Sequence, residues 1–324
     1  MTQRFASVIL ATRNRAALLA DTLEAIDRQR WPRDRLEVVV ADNNSSDDTR
    51  ARVETAAARE GAPIIRYLHV VEPGKSFAVN AALAQASGDL LVFTDDDVRP
   101  EPDWIERLAA AFERTGADFV AGRILPRWES EPPRWLSPSL YGVLAVPENG
   151  TASRPIDSSH SAIIPIGANM AVRRHVVDRI GGLRTDLGKL DGTLRTGEDH
   201  EFFLRMLQAG FRGAYEPSAV VRHWVPSARL TRDYFERWLR QNGHDVARLD
   251  ASYAPNVRRW LGVPRYLWRQ AAVDLVEMVR MLGRRDDPDR TARQLRLVWF
   301  GGYLEEAWSG PRRLLGTIEL AVGR

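Results

Sequence analysis

The sequence contains no cysteine among its 324 residues. That excludes disulfides, thiolate metal sites and cysteine nucleophiles, and it fits a reducing cytoplasm. Lysine is nearly absent as well: only Lys75 and Lys189 occur, so arginine carries almost all the positive charge. No apolar run reaches the ~18–20 residues of a transmembrane helix. The N-terminus enters the apolar stretch 5–11 without the flanks of a secretion signal. What is present is 44% hydrophobic and 27% charged, enough apolar material for a sizeable core. The net charge of +3 is unevenly spread, with 19 Arg against 12 Asp plus Glu from Arg222 onward. A basic last third points to a membrane surface or an anionic partner; no nucleic-acid partner is expected.

Strand-like and helix-like patterns alternate through the first half. Residues 7–11 are a short apolar run, 16–29 carry helical spacing with Asn14 as N-cap, and 36–41 are β-branched and stop at the turn cluster Asp42-Asn-Asn-Ser-Ser46. A helix over 47–59 capped by Ser46, a strand over 64–71, a helix over 75–86, a strand over 89–94 and a helix over 104–114 continue the series. Repeated β-α units with crossovers of this length require a parallel sheet. Ligand sites in such sheets lie beyond the carboxyl ends of the strands. Thr12-Arg13-Asn14, Asp42-Asn43 and Asp95-Asp96-Asp97 all fall at such ends and are expected to converge on one edge.

The middle is less regular. Residues 127–155 form a proline- and tryptophan-containing excursion expected to cover the site. A strand is predicted over 163–166, a mobile Gly-rich loop over 181–197, a helix over 198–209 and short strands near 213–215 and 219–223. From 230 the pattern is helical, with apolar-rich helices over 265–282 and 294–308.

Three adjacent carboxylates at 95–97 repel one another by about 1 kcal/mol or more per close pair at an effective dielectric near 20. They are tolerable on a solvated turn, or where they hold a cation; oxygen ligands of this kind suit Mg²⁺ or Mn²⁺. Glu198-Asp199 opens a helix, where acids complement the helix dipole, and where a carboxylate can also act as general base toward a hydroxyl. His223 ends a β-rich stretch; it is either structural or the nitrogen that completes an oxygen site for Mn²⁺. Asp42 reads as a turn-former or as an acceptor for a base or ribose. Lys75 reads as a solvated first-turn lysine or as a charge beside a nucleotide.

Six blocks occur in a telling order: Ser7-Val-Ile-Leu-Ala-Thr-Arg-Asn-Arg15, Val40-Ala-Asp-Asn-Asn-Ser-Ser-Asp-Asp-Thr49, Gly74-Lys-Ser-Phe-Ala-Val-Asn80, Ala86-Ser-Gly-Asp-Leu-Leu-Val-Phe-Thr-Asp-Asp-Asp97, Gly167-Ala-Asn-Met170 and Gly197-Glu-Asp-His-Glu-Phe-Phe-Leu-Arg205. Together, over about residues 4–229, they resemble the family 2 glycosyltransferases of the GT-A fold. The resemblance implies an α/β architecture with a Rossmann-like, mainly parallel sheet flanked by helices. It would divide the chain into a catalytic domain over 1–229, with a nucleotide-sugar half to about 125 and an acceptor half over 126–229, and a helical extension over 230–324.

It further implies inverting transfer from a nucleoside-diphosphate sugar, UDP-linked by preference, with Mn²⁺ or Mg²⁺ as cofactor. Asp97 would bind the metal, Asp95 the metal or ribose, and His223 a further metal position. Thr12, Arg13, Asp42, Asn43, Lys75 and Asp96 would line the nucleotide. Asp199 would be the general base with Glu198 beside it. Arg13 stands where many relatives carry an aromatic residue, and Asn43 where a second Asp is common. The acceptor would be a glycan or a lipid-linked hydroxyl, reached in the cytoplasm or at the inner membrane face.

Other readings compete. A nucleotidyltransferase or a dinucleotide oxidoreductase needs a Gly-rich loop after strand one, and Ala11-Thr-Arg-Asn-Arg15 has no glycine. An aspartyl phosphatase resembles D-x-D-x-T, but Arg99 takes the threonine position. A non-catalytic glycan- or membrane-binding protein would not need the acids at 95, 97 and 199. The aromatic and arginine residues of 258–308 suit core packing, a homodimer contact or peripheral membrane contact.

Overall fold

A computed structural model describes residues 5–157, 163–189, 193–254, 256–283 and 287–309. The chain opens with β1 (Ala6–Thr12), α1 (Ala16–Asp27), β2 (Leu36–Asp42), α2 (Thr49–Ala57), β3 (Ile64–His69), α3 (Lys75–Gln85) and β4 (Leu90–Asp95). It continues with β5 (Val98–Pro100), α4 (Trp104–Thr115), β6 (Phe119–Trp128), β7 (Arg154–Ile156), β8 (Met170–Arg173), α5 (Arg174–Ile180), α6 (Glu198–Gln208) and β9 (Gly213–Val225). One sheet runs β3-β2-β1-β4-β8-β6-β9-β5, with β7 on β9.

Burial explains the order. β2 is buried throughout, and β1 and β4 nearly so, because both faces are covered. β3 is exposed or half-buried along its length, as an edge strand is. Alternate residues serve opposite faces: Ile9, Val39, Leu91 and Phe93 pack on Ala78, Val79 and Ala82 of α3 and on Phe202 and Phe203 of α6.

The α/β class is as the sequence implies, but the sheet is mixed. β1, β2, β3 and β4 pair in parallel, and so do β6 and β9. β8 runs antiparallel to β4 and β6, and β5 and β7 run antiparallel to β9. No strand forms at 163–166; the extended residues are β8, just after a 3₁₀ turn at Gly167–Asn169. The two short strands expected near 213–223 are one strand. Its register against β6 jumps between Glu216 and Val220, where Pro217 lacks an N–H and Ser218 bonds Glu216.

Two expected helix caps are exchanged between elements. Asn14 adopts φ 52° and accepts from the Ser46 amide at 2.7 Å instead of capping α1. The Ala16 amide that opens α1 donates to Asp47 at 3.0 Å, and Asp47 rather than Ser46 also receives the Thr49 amide at 3.1 Å.

The chain divides into two compact units, the first holding the sheet. The second gathers Ser130–Val143, Leu194–Gly197 and the chain from Ser227 onward. It contains α7 (Arg232–Tyr253), the hairpin of β10 (Arg259–Trp260) and β11 (Val263–Pro264), α8 (Arg265–Arg280) and α9 (Pro288–Ser309). α7 and α9 approach so closely that a Cβ on Gly302 would lie 2.1 Å from the Arg240 carbonyl oxygen.

Candidate active site

The carboxyl ends of β1, β2 and β4 share a register in which Thr12 faces Asp42 and Ala11 faces Asp95. The polar ends of these strands therefore lie side by side. β5 follows Asp97 at once and pairs with β9, so Val98 stands opposite His223 and the Trp224 amide donates to the Asp97 carbonyl at 2.9 Å. Chain segments more than a hundred residues apart are thus held together by a three-residue strand.

The three aspartates face different ways. Asp96 turns inward and accepts from Thr12 Oγ1 at 2.8 Å and from Arg15 Nη1 at 2.9 Å, while Thr22 Oγ1 donates to its carbonyl at 2.9 Å. Burial pushes the Asp96 carboxyl up to about 6; the Asp97 charge adds to this, and Arg15 and Thr12 oppose it. Thr12 and Asp96 bond each other and brace the turn.

Asp97 is buried. Its Oδ2 accepts from Arg15 Nη1 at 2.9 Å, and its Oδ1 lies 3.3 Å from His223 Nε2. Oδ1 has no hydrogen-bond partner among the described residues. A buried carboxylate oxygen left so is costly, and a cation removes the cost. Asp95, Asp97 and His223 each present a ligand atom, all within 4.8 Å of one another. Two carboxylates and an imidazole fit Mn²⁺ or Mg²⁺, so the residues present suit the cofactor that the sequence implies.

Lys75 is not a solvated lysine. It opens α3, its amide donates to the Lys189 carbonyl at 3.2 Å, and its Nζ lies 2.8 Å from Asp95 Oδ1. Burial works against its charge, but Asp95, Asp199 and Glu198 together hold the ammonium above the ordinary lysine range. Burial likewise opposes the Asp95 charge, yet Lys75, Lys189 and His223 hold that carboxyl well below the usual range. One ammonium therefore feels both the Asp95 acid and the Glu198–Asp199 pair.

α6 carries the second acidic pair and is pinned to the sheet by its aromatic residues. Phe202 meets Phe93 at 6.2 Å and Phe203 meets Phe119 edge-on at 6.0 Å. Each such ring buries about 1.5–3 kcal/mol of apolar transfer energy. At the helix start, Asp199 Oδ2 accepts from the Gly167 amide at 2.9 Å. A Cβ on Gly167 would lie 3.0 Å from Asp199 Oδ1 and would press on that carboxylate. Burial pushes the Asp199 carboxyl up and Asp95 adds to it, while Lys75 and the Gly167 amide oppose.

Glu198 is buried beside it. Burial and then the Asp199 charge push its carboxyl up to about 7, from 4.5 in an unfolded chain. The metal-free folded protein therefore holds a proton that the unfolded chain releases. That stability is intact below pH 4.5 and is lost as pH rises through about 7. Glu198→Gln removes the penalty. It is expected to raise stability at pH 8 by on the order of 1–3 kcal/mol and to change it little at pH 4. Denaturant titrations at the two pH values check this; a variant weaker than wild type at pH 8 contradicts it.

The remaining candidates lie at the same strand ends. Asp42 accepts from the Tyr67 hydroxyl at 2.8 Å and the Ser45 amide at 2.9 Å, which fixes its orientation. Asn43 donates to the Val70 and Glu72 carbonyls and accepts from the Gly74 amide at 2.8 Å. Both of its N–H groups are used in shaping the turn that leads to Lys75. Arg13 is half-buried just past β1. The Gly-rich stretch after α5, expected to be mobile, is tied along 183–189: Asn80 exchanges two bonds with Leu183 at 2.8 Å, and Ser76 bonds the Leu187 carbonyl at 3.3 Å. Residues 190–192 of that stretch lie outside the described residues. Sequence reasoning missed Arg15, which grips two aspartates, and the Gly167 amide; neither has a periodic or spacing signal.

The sequence matches the family described as Glycosyl transferase family 2 over residues 7–181. It is also 32% identical, over 245 residues and 74% of each chain, to the succinoglycan biosynthesis protein ExoM of Rhizobium meliloti. The chain is a family 2 glycosyltransferase. Glycosyltransferase AglE of Haloferax volcanii is 27% identical over 232 residues, 68% of this chain and 66% of its own. Among solved structures, the mannosyltransferase PcManGT of Pyrobaculum calidifontis, in complex with GDP-Man and Mn²⁺, aligns with a TM-score of 0.65 at 22% identity, covering 96% of this chain and 89% of that one. Residues 1–349 of TarS of S. aureus, in complex with UDP, align at 0.54 and 17% identity, covering 91% of this chain and 90% of that fragment. These likenesses show that the glycosyltransferase has the GT-A fold. The family match ends before Asp199 and His223; in the structure His223 pairs opposite Val98, and Asp199 lies close enough to feel the Asp95 charge.

Proposed function

We propose that this glycosyltransferase moves a sugar, with inversion at the anomeric carbon, from a nucleoside-diphosphate donor to a hydroxyl of a glycan or lipid-linked acceptor. The observation that carries this reading is the trio Asp95, Asp97 and His223, with Asp97 Oδ1, which lacks a hydrogen bond among the described residues, at its centre and Asp199 within electrostatic reach. The trio would hold Mn²⁺ or Mg²⁺. A divalent cation there supplies neutralising charge to the diphosphate as it leaves.

The chain's own groups supply the rest. Asp42, steadied by Tyr67 and Ser45, accepts from the base or ribose, with Arg13 beside it. Lys75 holds Asp95 in place and adds positive charge near the diphosphate. Gly167 fixes one oxygen of Asp199. The other oxygen takes the acceptor proton as the hydroxyl oxygen bonds the anomeric carbon and the bond to the diphosphate oxygen breaks on the opposite face. A base lifted by burial is better matched to this step near neutral pH than an ordinary aspartate. UDP is the preferred nucleotide. The acceptor side is cytoplasmic, at the inner membrane face where the acceptor is lipid-linked.

A donor screen tests the reading. UDP- and GDP-sugars are supplied with and without Mn²⁺, and released nucleoside diphosphate is counted. One nucleotide class turned over only with a divalent cation supports it; release that is indifferent to chelation sinks it.

A further inference from the structure

No helix among the described residues is long and apolar enough to cross a membrane. The second unit nonetheless exposes an apolar patch. The first half of α8 packs Leu267, Trp268 and Ala271 on the α9 side, but its second half is inverted. Its acid, Asp274, is 3% exposed and faces α9, where Arg293 holds it at 3.0 Å and Arg296 at 2.6 and 2.8 Å. Its aliphatic residues Leu275, Val276 and Val279 face out, 57%, 50% and 57% exposed, and Leu282 follows at 66%. A helix packed on a water-soluble domain carries the opposite arrangement.

The hairpin before α8 extends the patch. Trp260 and Leu261 are more than half exposed at its tip, and so is Trp308 of α9. The tip is rigid: Trp268 meets Trp260 at 5.2 Å and donates to its carbonyl at 3.1 Å, while Trp308 donates to the Leu261 carbonyl at 3.0 Å. Leu261 sits at φ 50°, a strained conformation for a leucine that the indoles hold in place.

Charge selects the occupant. Arg258, Arg265 and Arg269 are exposed and make no ion pair among the described residues. The acids nearby are already taken, Asp274 by α9 and Glu277 by Arg280 at 2.6 Å. We propose that the outer face of α8 and the Trp260–Leu261 tip dock on an anionic phospholipid bilayer. Aliphatic side chains enter the headgroup boundary, indoles sit at its level, and arginines meet lipid phosphates. A second copy of this chain fits less well, because the same face would have to supply acids to these arginines and its Asp274 and Glu277 are already paired.

Vesicle flotation of the full chain tests this, with fold checked by circular dichroism. Vesicles of phosphatidylcholine with phosphatidylglycerol are expected to bind at least about tenfold more protein than phosphatidylcholine alone at low salt, and the difference should shrink as salt rises. Val276→Asn with Val279→Asn, and separately Arg265→Glu with Arg269→Glu, are each expected to lower binding about tenfold. Binding that ignores lipid charge, or that both variants retain, overturns the proposal. So does a wild-type dimer that the valine variant converts to monomer without any vesicle binding. No donor or metal enters the assay, so its failure leaves the catalytic reading standing.

Discussion

Replacing Asp199 by asparagine is expected to lower kcat by about a hundred- to ten-thousand-fold, while donor affinity stays within about twofold. Asparagine has the same shape, and its oxygen still accepts the Gly167 amide that now lies 2.9 Å from Asp199 Oδ2. The local structure therefore survives, and only basicity is lost. The wild-type carboxyl is raised, chiefly by burial, so the rate climbs with pH as Asp199 loses its proton. The variant's residual rate should lack that limb. Steady-state kcat and KM across pH, with the donor found in the screen, check both parts. Turnover within about threefold of wild type would place the base elsewhere.

The elements that were legible in the sequence are those whose signal is local. β1, β2 and β4 are apolar runs because both of their faces are buried. The acids at 95–97 and 198–199 stand at a strand end and a helix start, positions that position rules can find. The illegible parts depend on partners far along the chain. β5 is three residues long and exists only because β9 lies beside it. β8 falls on Met170–Arg173 instead of 163–166 because Gly167–Asn169 turns first. The capping pattern at Asn14 and Ser46 is locally sound, but Asp47 reaches across to the Ala16 amide and reverses it.

The site divides in the same way. Motif order identified the acids, yet gave no way to tell which of three adjacent aspartates turns inward. Thr12 and Arg15 settle that by bonding Asp96. Asn43 stands at a strand end, and nothing local in the sequence says that its amide group bonds the Val70 and Glu72 carbonyls. α8 has ordinary amphipathic spacing, and no sequence pattern says which of its faces meets α9.

Asp97→Ala has the other large expected effect. Alanine removes the buried oxygen that lacks a hydrogen bond among the described residues, while the β5–β9 pairing keeps His223 beside the turn. Asp95 remains, but Lys75 already lies 2.8 Å from it and competes with a cation. Loss of a direct ligand costs at least the roughly 10–100-fold in metal affinity seen for outer-shell partners. Because the cation and the diphosphate bind together, nucleotide affinity should fall with it. The fold should persist, since Arg15 keeps its bond to Asp96.

Calorimetric titration of the nucleoside diphosphate found in the screen, into wild type and Asp97→Ala with Mn²⁺ or with chelator, tests the metal-centred site most directly. The expected result is tight binding only to wild type with Mn²⁺, and roughly 100-fold weaker binding in the other three arms. Equal affinity in all four arms would contradict a site built around a cation at Asp97.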